Sequence, residues 1–393
     1  MKKIVSILGS TGSIGVNAFK IFDKKRKLFQ FNVLAADKNY NLICKQIKKY
    51  KPNIFIINNK NVFQNVKKKF KNSKVKIIND VTFEKNNFKL SDITIAAIPG
   101  IAGLKPTIEL TKKSKKILIA NKESVICGWN LIKKNALKNN TKIIPIDSEH
   151  FSIMKLLNYE KINNVEKIYL TASGGPFLKY PISKLKNVKP SQAKKHPKWK
   201  MGEKISIDSA SLMNKILEVI EAQKIFNIDL KKIEVIIHPE SLIHAIIKFK
   251  NGLYKFIYHE TTMMIPIANA IFDNNLIMND FLKSKDTNNK NIFFNNLKFS
   301  DVDKKRFPVI KIKPRLNEYF STPIIINAIN EILVDQYLLK KIRFNSFYDI
   351  ILLVLSDRNY KKYAVKEPKN INQILLIDQW ARNITYNKLK LSK

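Results

Sequence analysis

The sequence predicts an α/β protein in three parts: an N-terminal domain with a parallel sheet, a central α+β domain and a C-terminal helical bundle. Residues 1 to about 147 alternate short apolar strands with helical stretches, which is typical of a parallel sheet joined by crossover helices. Residues from about 148 to 272 mix strands with a helix, and the later stretch STPIIINAINEILVDQYLLKK has helical periodicity. A chain of 393 residues is also long for a single hydrophobic core.

The individual elements follow from short apolar runs that are bounded by turn residues. In the first domain the predicted elements are strands at Ile4–Leu8, Phe31–Ala36, Ile54–Ile57, Lys76–Ile78, Ile93–Ala97, Lys116–Ile119 and Lys142–Pro145, and helices at Ile14–Phe22 and Asn41–Tyr50. In the second they are strands at Val165–Thr171, Glu234–Ile237, Ala245–Phe249 and Tyr254–Ile257, and a helix from about Ser209 to Phe226. The expected domains are therefore 1–147, 148–272, an Asn- and Lys-rich linker over 273–298, and a helical domain over 299–393.

The chain carries a formal net charge of +41, which by itself suggests a nucleic acid or an anionic membrane as partner. The lysines, however, run from Lys2 to Lys393 without clustering, and arginine, the usual reader of bases and phosphates, is scarce. Cys44 and Cys127 fit neither a metal site nor a disulfide framework. No apolar run is long enough to span a bilayer or to serve as a signal peptide. We therefore expect a cytoplasmic protein with no membrane partner and no specific nucleic-acid partner.

The first motif that can carry chemistry is IVSILGSTGSIG, in which Gly9, Gly12 and Gly15 follow a strand and precede a helix. Glycines at this place allow a tight turn and a close approach of the backbone to a pyrophosphate, which then lies on the helix N-terminus. This context predicts a Rossmann-like, dinucleotide-binding domain, against the alternative of a glycine turn without a ligand. After the second strand, Asp37 suits a ribose hydroxyl and Lys38 suits a 2′-phosphate, so these residues leave NAD and NADP both open.

Carboxylates form the second motif. Asp147 and Glu149 follow the seventh predicted strand, and on an extended backbone their spacing points both side chains the same way. Open α/β sheets bind ligands at this edge, and adjacent carboxylates repel one another unless a cation joins them. Glu218 is a third candidate, because it shares one stripe of a predicted helix with Asn214 and Lys215. Three carboxylates favour Mg²⁺ or Mn²⁺, whereas a solvated acidic turn and a solvated helix face are the alternatives.

Weaker signals lie in four other stretches. LTASGGPF offers Ser173 and backbone N–H groups to an anion, although most such sequences are simple turns. ANKES places Lys122 after the sixth strand, and HPESLIH contains His244, which as a lone histidine is more often structural than catalytic. HPKWKMG places Trp199 and Met201 in a cationic loop, where neither strand nor helix periodicity would bury them.

Taken together, these motifs resemble those of the 1-deoxy-D-xylulose 5-phosphate reductoisomerase family. The resemblance covers essentially the whole chain, in family order, through GSTGSIG, AGLKPT, LIANKES, PIDSEH, SGGPF, HPKWKMGEKISIDSASLMNK, IHPESLIH, PIANAI and NAINE. It implies an NADPH- and divalent-metal-dependent oxidoreductase that rearranges and reduces 1-deoxy-D-xylulose 5-phosphate to 2-C-methyl-D-erythritol 4-phosphate in the non-mevalonate isoprenoid pathway. It also implies a homodimer, and Mg²⁺ or Mn²⁺ as the metal, with Co²⁺ as a third candidate.

The resemblance further implies roles for single residues. The coenzyme would be bound by Thr11, Gly12, Ser13, Ile14, Asp37, Lys38, Asn39, Asn121, Glu123, Met201 and Gly202. The metal ligands would be Asp147, Glu149 and Glu218. The substrate would be bound, under a lid loop over 193–203, by Ser148, Glu149, Ser173, His196, Trp199, Ser209, Asn214, Lys215, Glu218 and His244. Catalytic roles would fall to Lys122, Asp147, Glu149, Glu218 and His196.

One residue beside the expected coenzyme departs from the family pattern. Asp37 stands where a small residue, usually glycine, precedes the Lys-Asn pair, and a carboxylate there repels a 2′-phosphate.

Two other functions are the alternatives. Another NAD(P)-dependent two-domain dehydrogenase would need no carboxylate trio, and a basic nucleic-acid-binding protein on a Rossmann scaffold would need clustered cations.

Overall fold

The computed structural model describes residues 1–79, 88–199, 202–282 and 297–391. The strands in these ranges are β1 Lys3–Leu8, β2 Phe29–Ala36, β3 Ile54–Ile57, β4 Lys76–Ile78, β5 Ser91–Ala96, β6 Ser114–Ile119, β7 Lys142–Pro145, β8 Val165–Ala172, β9 Ile233–Ile237, β10 Ile243–Phe249, β11 Tyr254–Tyr258 and β12 Ser300–Asp301. The helices are α1 Ser13–Lys24, α2 Tyr40–Tyr50, α3 Lys60–Lys69, α4 Leu104–Thr111, α5 Lys122–Lys138, α6 Ser148–Leu156, α7 Pro190–Ala193, α8 Glu203–Ser211, α9 Met213–Phe226, α10 Met264–Phe272, α11 Thr322–Leu338, α12 Phe347–Leu355, α13 Tyr360–Ala364 and α14 Ile371–Leu391.

The described residues group into two compact units. The first is formed by the described parts of Met1–Ser124, Asn130–Phe151 and Met263–Asn288. The second is formed by the described parts of Val125–Trp129, Ser152–Thr262 and Asn289–Lys393. The predicted domain boundaries after residues 147, 272 and 298 stay predictions.

The first unit contains a sheet with the strand order β4-β3-β2-β1-β5-β6-β7. Every neighbouring pair is parallel. Strand β3 is a continuous apolar run and β1 is mostly apolar, because sheets of this kind are covered by helices on both faces. The chain moves outward in one direction from β1 and in the other from β5, so a crevice opens between the carboxyl ends of these two strands. The predicted N-terminal Rossmann-like sheet is confirmed.

The second unit contains a mixed sheet with the order β11-β10-β8-β9-β12. Only β8 and β9 pair in parallel, whereas β10 is antiparallel to both β8 and β11. The C-terminal helices α11, α12 and α14 pack on one another. These features confirm the predicted α+β region and helical bundle. No helix of the described ranges combines the length and apolar composition that a bilayer crossing requires.

The prediction of one helix from Ser209 to Phe226 is wrong, because α8 and α9 are separated at Leu212. This residue has φ 64°, in the left-handed region, which ends the run of helical hydrogen bonds. The neighbouring Ser211 hydroxyl donates to the carbonyl of Ile207 at 3.1 Å and accepts from the N–H of Met213 at 3.3 Å. Its side chain thus binds backbone groups on both sides of the break, which apolar periodicity does not register.

Candidate active site

The glycine turn after β1 packs tightly against the end of β5. Gly9 has φ +81°, and a Cβ atom there would lie 2.4 Å from the carbonyl oxygen of Ala97, so only glycine fits. The buried Ser10 donates its hydroxyl to Oε1 of Gln46 at 2.7 Å, and Nε2 of Gln46 donates back to the Ser10 carbonyl at 2.8 Å. The turn is therefore held rigidly beneath the N-terminus of α1, where backbone N–H groups favour an anion.

The other residues expected at the coenzyme follow the same edge of the sheet. In the first unit they are Thr11, Gly12, Ser13 and Ile14 at the start of α1, Asp37, Lys38 and Asn39 after β2, and Asn121 and Glu123 after β6. Asn39 caps α2, and Asn121 caps α5 by accepting from the Ser124 N–H at 2.6 Å. Gly202 precedes α8 in the second unit, and Met201 lies outside the described residues.

An acidic cluster lies at the carboxyl end of β7 in the first unit. Asp147 is 3.1 Å from Nζ of Lys122 and 3.5 Å from Nδ1 of His150. Burial raises the pKa of Asp147, but the charge of Lys122 and the neighbouring His150 outweigh it and hold the pKa well below its usual range. The Ser148 hydroxyl donates to the Glu149 carboxylate at 2.7 Å. A carboxylate oxygen of Asp147 lies within 4.8 Å of a carboxylate oxygen of Glu149. Two carboxylates this close are a fitting donor set for a hard divalent cation.

The third candidate ligand, Glu218, lies on α9 in the second unit. It is 1% exposed, and its carboxylate accepts from Nζ of Lys215 at 2.6 Å and from the amide of Asn214. A carboxylate buried to this degree requires compensation by a cation and by hydrogen bonds, which these neighbours supply. Since Asp147 and Glu149 belong to the first unit, the metal trio stays a prediction.

Ser173 and His196 form a hydrogen-bond chain with a defined direction. Nδ1 of His196 accepts from the backbone N–H groups of Lys198 at 3.1 Å and Trp199 at 2.9 Å, so this nitrogen carries no proton. Nε2 is then the donor to the Ser173 hydroxyl, 2.9 Å away. The same hydroxyl oxygen accepts from the N–H of Gly175 at 3.1 Å. Because the Ser173 oxygen already accepts hydrogen bonds from His196 and Gly175, the hydroxyl proton of Ser173 can be donated to an anion.

The loop that carries Ser173 lies directly against the helix that carries Ser209. Gly175 has φ +62°, and a Cβ atom there would lie 3.1 Å from the carbonyl oxygen of Ser209. A side chain at Gly175 would be strained by this φ and crowded by that carbonyl, so glycine favours the close approach of the Ser173 loop to the helix that carries Ser209. The positive charge of Lys215 also acts on His196, where it disfavours a second proton on the ring.

The described part of the predicted lid contributes an aromatic contact. The ring of Trp199 meets that of His244 edge-on, with centroids 5.9 Å apart and planes at 66°. His244 lies on β10 and is 2% exposed. The second unit therefore gathers Ser173, His196 and Trp199 with His244, although they are far apart in the sequence.

The protonation of His196 gives a testable pH dependence. Burial, helped by the nearby charge of Lys215, lowers its pKa to about 4, whereas an unfolded histidine titrates near 6.5. Between these values the unfolded chain binds a proton that the folded chain does not, so stability should fall as the pH drops from about 6.5 to about 4. Urea unfolding of wild type and His196→Gln across this range measures the effect. A variant that loses as much stability as wild type would contradict the assignment.

Three residues near the site are not among those that the sequence predicted. Gln46 holds the glycine turn from helix α2, and His259 stacks on His244 with centroids 4.1 Å apart. His150 contacts Asp147. Its position three residues after Asp147, at the start of a helix, is the one sequence feature that indicates this contact.

The parallel sheet, its glycine turn at the crevice and the carboxylates on the same edge define a dinucleotide-dependent oxidoreductase as the class of protein. Three family models match: 1-deoxy-D-xylulose 5-phosphate reductoisomerase over residues 5–128, its C-terminal domain over 143–226, and the DXP reductoisomerase C-terminal domain over 260–384. The chain belongs to the 1-deoxy-D-xylulose 5-phosphate reductoisomerase family.

Individual relatives agree along their full length. The 1-deoxy-D-xylulose 5-phosphate reductoisomerase of Pelagibacter ubique is 46% identical over 380 residues, which are 95% of this chain and 96% of that protein. A crystal structure of DOX-P reductoisomerase with NADPH, fosmidomycin and magnesium has a TM-score of 0.90 at 29% identity and covers 99% of this chain and 98% of its own. The Zymomonas mobilis enzyme in complex with NADPH has a TM-score of 0.86 at 28% identity, with 99% of each chain covered.

Proposed function

We propose that this protein catalyses the NADPH- and divalent-metal-dependent rearrangement and reduction of 1-deoxy-D-xylulose 5-phosphate to 2-C-methyl-D-erythritol 4-phosphate, a step of the non-mevalonate isoprenoid pathway. The observation that carries the proposal is a family relationship that spans 95% of the chain at 46% identity. The expected acids, the phosphate-binding residues and the glycine turn are all present.

We propose Asp147, Glu149 and Glu218 as the metal ligands, with Mg²⁺, Mn²⁺ or Co²⁺ as the ion. A divalent metal held there supplies charge stabilisation for the substrate's oxygen atoms. Lys122, 3.1 Å from Asp147, helps to keep that carboxylate ionised and would steady an oxyanion of the substrate. Ser148 orients Glu149 through its 2.7 Å hydrogen bond and would also meet a substrate hydroxyl.

We propose that the substrate's phosphate group binds in the second unit, to Ser173, Ser209, Asn214 and Lys215. The support is the approach of the Ser173 loop to the Ser209 carbonyl and the outward-donating Ser173 hydroxyl. The lid loop 193–203 would cover the carbon skeleton with Trp199, next to His244. Its role is to exclude water and to retain the reactive intermediate.

NADPH would supply the hydride and lie along the carboxyl edge of the first sheet. We propose Thr11, Gly12, Ser13 and Ile14 for its pyrophosphate, and Lys38 and Asn39 for its 2′-phosphate, with Asp37 beside them. For its nicotinamide end we propose Asn121, Glu123, Met201 and Gly202. We also keep the four segments 1–147, 148–272, 273–298 and 299–393 as the proposed domain division. A cytoplasmic homodimer is proposed from the family resemblance, and the two cysteines, which are buried and not joined in a disulfide, fit a reducing compartment.

The deciding experiment follows the loss of NADPH absorbance with 1-deoxy-D-xylulose 5-phosphate and Mg²⁺ or Mn²⁺. Oxidation that depends on both substrate and metal is expected. No oxidation, or full activity in excess chelator, would refute the proposal and favour a dehydrogenase without a carboxylate trio. A nucleic-acid-binding protein would instead show binding that falls steeply with salt and no oxidation.

Coenzyme preference tests the unusual Asp37. Its exposed carboxylate repels a 2′-phosphate, so Asp37→Gly is expected to raise the ratio of kcat/KM for NADPH to that for NADH by about two- to fivefold. The change should shrink at high ionic strength because the interaction is between exposed charges. Asp23→Asn, on another exposed face of the same unit, is the control. A ratio that Asp37→Gly leaves unchanged would place Asp37 away from the 2′-phosphate.

A further inference from the structure

His259, which the proposed site does not use, lies against a histidine that it does use. Its N–H donates to the carbonyl of Leu242 at 3.0 Å, which extends the pairing of β10 and β11 by one residue. In this register His259 is a diagonal neighbour of His244 on the same face of the sheet. The two imidazoles stack with centroids 4.1 Å apart and planes at 20°, and Trp199 meets His244 edge-on.

The hydrogen bonds of His259 show which nitrogen carries a proton, and the lowered pKa of the ring favours its neutral form. Nδ1 lies 2.8 Å from the carbonyl oxygen of Glu260, and since a carbonyl only accepts, Nδ1 carries the proton. Nε2 is then an acceptor, and within the described part of the chain it has no hydrogen-bond partner. His259 is 7% exposed, and its burial lowers its pKa, opposed by the Glu260 hydrogen bond. A neutral ring stacks on His244 without repelling a charge there.

A buried acceptor without a partner is destabilising, so hydrogen bonding by Nε2 does not explain a histidine at this position. Nδ1 bonds only to the carbonyl of the next residue, Glu260, whereas the flat face of the ring is the part of the side chain that contacts His244. We propose that His259 is a positioning residue: its stack fixes the orientation of the His244 ring and, through that ring, the place of Trp199 over the substrate. The inference rests on the proposed function, which brings His244 and Trp199 to the sugar phosphate.

Replacement of the flat ring tests this role. His259→Leu removes the stack at similar volume and is expected to raise KM for 1-deoxy-D-xylulose 5-phosphate about fivefold. KM for NADPH should stay unchanged, because most residues proposed for the coenzyme lie in the first unit. His259→Phe keeps a flat face without the nitrogens and should recover most of the loss. Tyr363→Leu removes a comparable stack, that of Tyr363 on Trp380 at 4.6 Å, and should leave KM for the sugar phosphate as in wild type.

A double-mutant cycle separates action through His244 from a general loss of stability. In a His244→Ala background, His259→Leu is expected to cause no further rise in KM. If the two substitutions raise KM independently, so that their factors multiply in the double variant, the proposal is overturned. It is also overturned if His259→Leu has the wild-type KM, or if His259→Phe raises KM as much as His259→Leu does. If circular dichroism shows that the leucine variant is unfolded, the phenylalanine variant decides. A folded His259→Phe protein with a fivefold higher KM for the sugar phosphate overturns the proposal, and one with a KM near that of wild type supports it. Absence of turnover by wild type would instead refute the proposed function itself.

Discussion

Glu218→Gln is expected to lower kcat by about a thousandfold or more while NADPH binding stays intact. Glutamine keeps the size of the side chain but removes the charge that a divalent metal requires. Glu218 is 1% exposed, so no solvent anion can replace it. The substitution also deprives Lys215 of the carboxylate that lies 2.6 Å from its Nζ. Steady-state turnover and calorimetric titration of NADPH measure the two effects separately.

The matched control is Asp229→Asn, which neutralises an exposed carboxylate in the same unit and should leave kcat unchanged. Far-ultraviolet circular dichroism establishes that both variants are folded. A Glu218→Gln protein that turns over at wild-type rate would remove Glu218 from the metal site. One that loses NADPH binding together with turnover would indicate a general collapse of the site.

The second large effect is expected from Lys215→Met, which should raise KM for the sugar phosphate by about ten- to a hundredfold. Charge-assisted hydrogen bonds to phosphate contribute about 1.5–3 kcal/mol, and Lys215 is the charged member of the proposed phosphate group. A second consequence does not depend on catalysis. Because the Lys215 charge helps to lower the pKa of His196, that pKa should rise in the variant. Nuclear magnetic resonance titration of the imidazole measures it.

Lys224→Met is the control for this experiment. Lys224 lies on the same helix, α9, and burial likewise lowers its pKa, but it is not among the proposed ligands. It should leave both KM and the His196 titration unchanged. Lys215→Met with neither effect would place its ammonium group away from the phosphate and from His196.

Local signals explain why the first sheet could be predicted from the sequence. Strands such as Ile54–Ile57 are continuous apolar runs between turn residues, and the structure has that strand at the predicted residues. Gly9 could be recognised because it stands in a turn directly between a strand and a helix. In each case the pattern that indicates the element and the interactions that stabilise it lie in the same short segment.

The second unit shows where local signals are insufficient. Apolar periodicity continues through Leu212, so it predicted one helix where a left-handed residue makes two. Ser173 and His196 are 23 residues apart, and the direction of their hydrogen bond depends on how the turn at His196 folds back on its own Nδ1. The stack of His244 on His259 depends on strand register, which includes an irregularity between Ile243 and Ile246.

The sequence by itself determined the fold class and the chemistry available: carboxylates, a glycine turn and an anion-binding set of hydroxyl, amide and ammonium groups. Tertiary structure alone decided how those groups are tuned. It sets the low pKa of Asp147 through Lys122, the single tautomer of His196, and the stack on His244. The physical reason is that charge, hydrogen-bond direction and ring orientation depend on distances of a few ångströms between distant segments, which no local pattern of residues encodes.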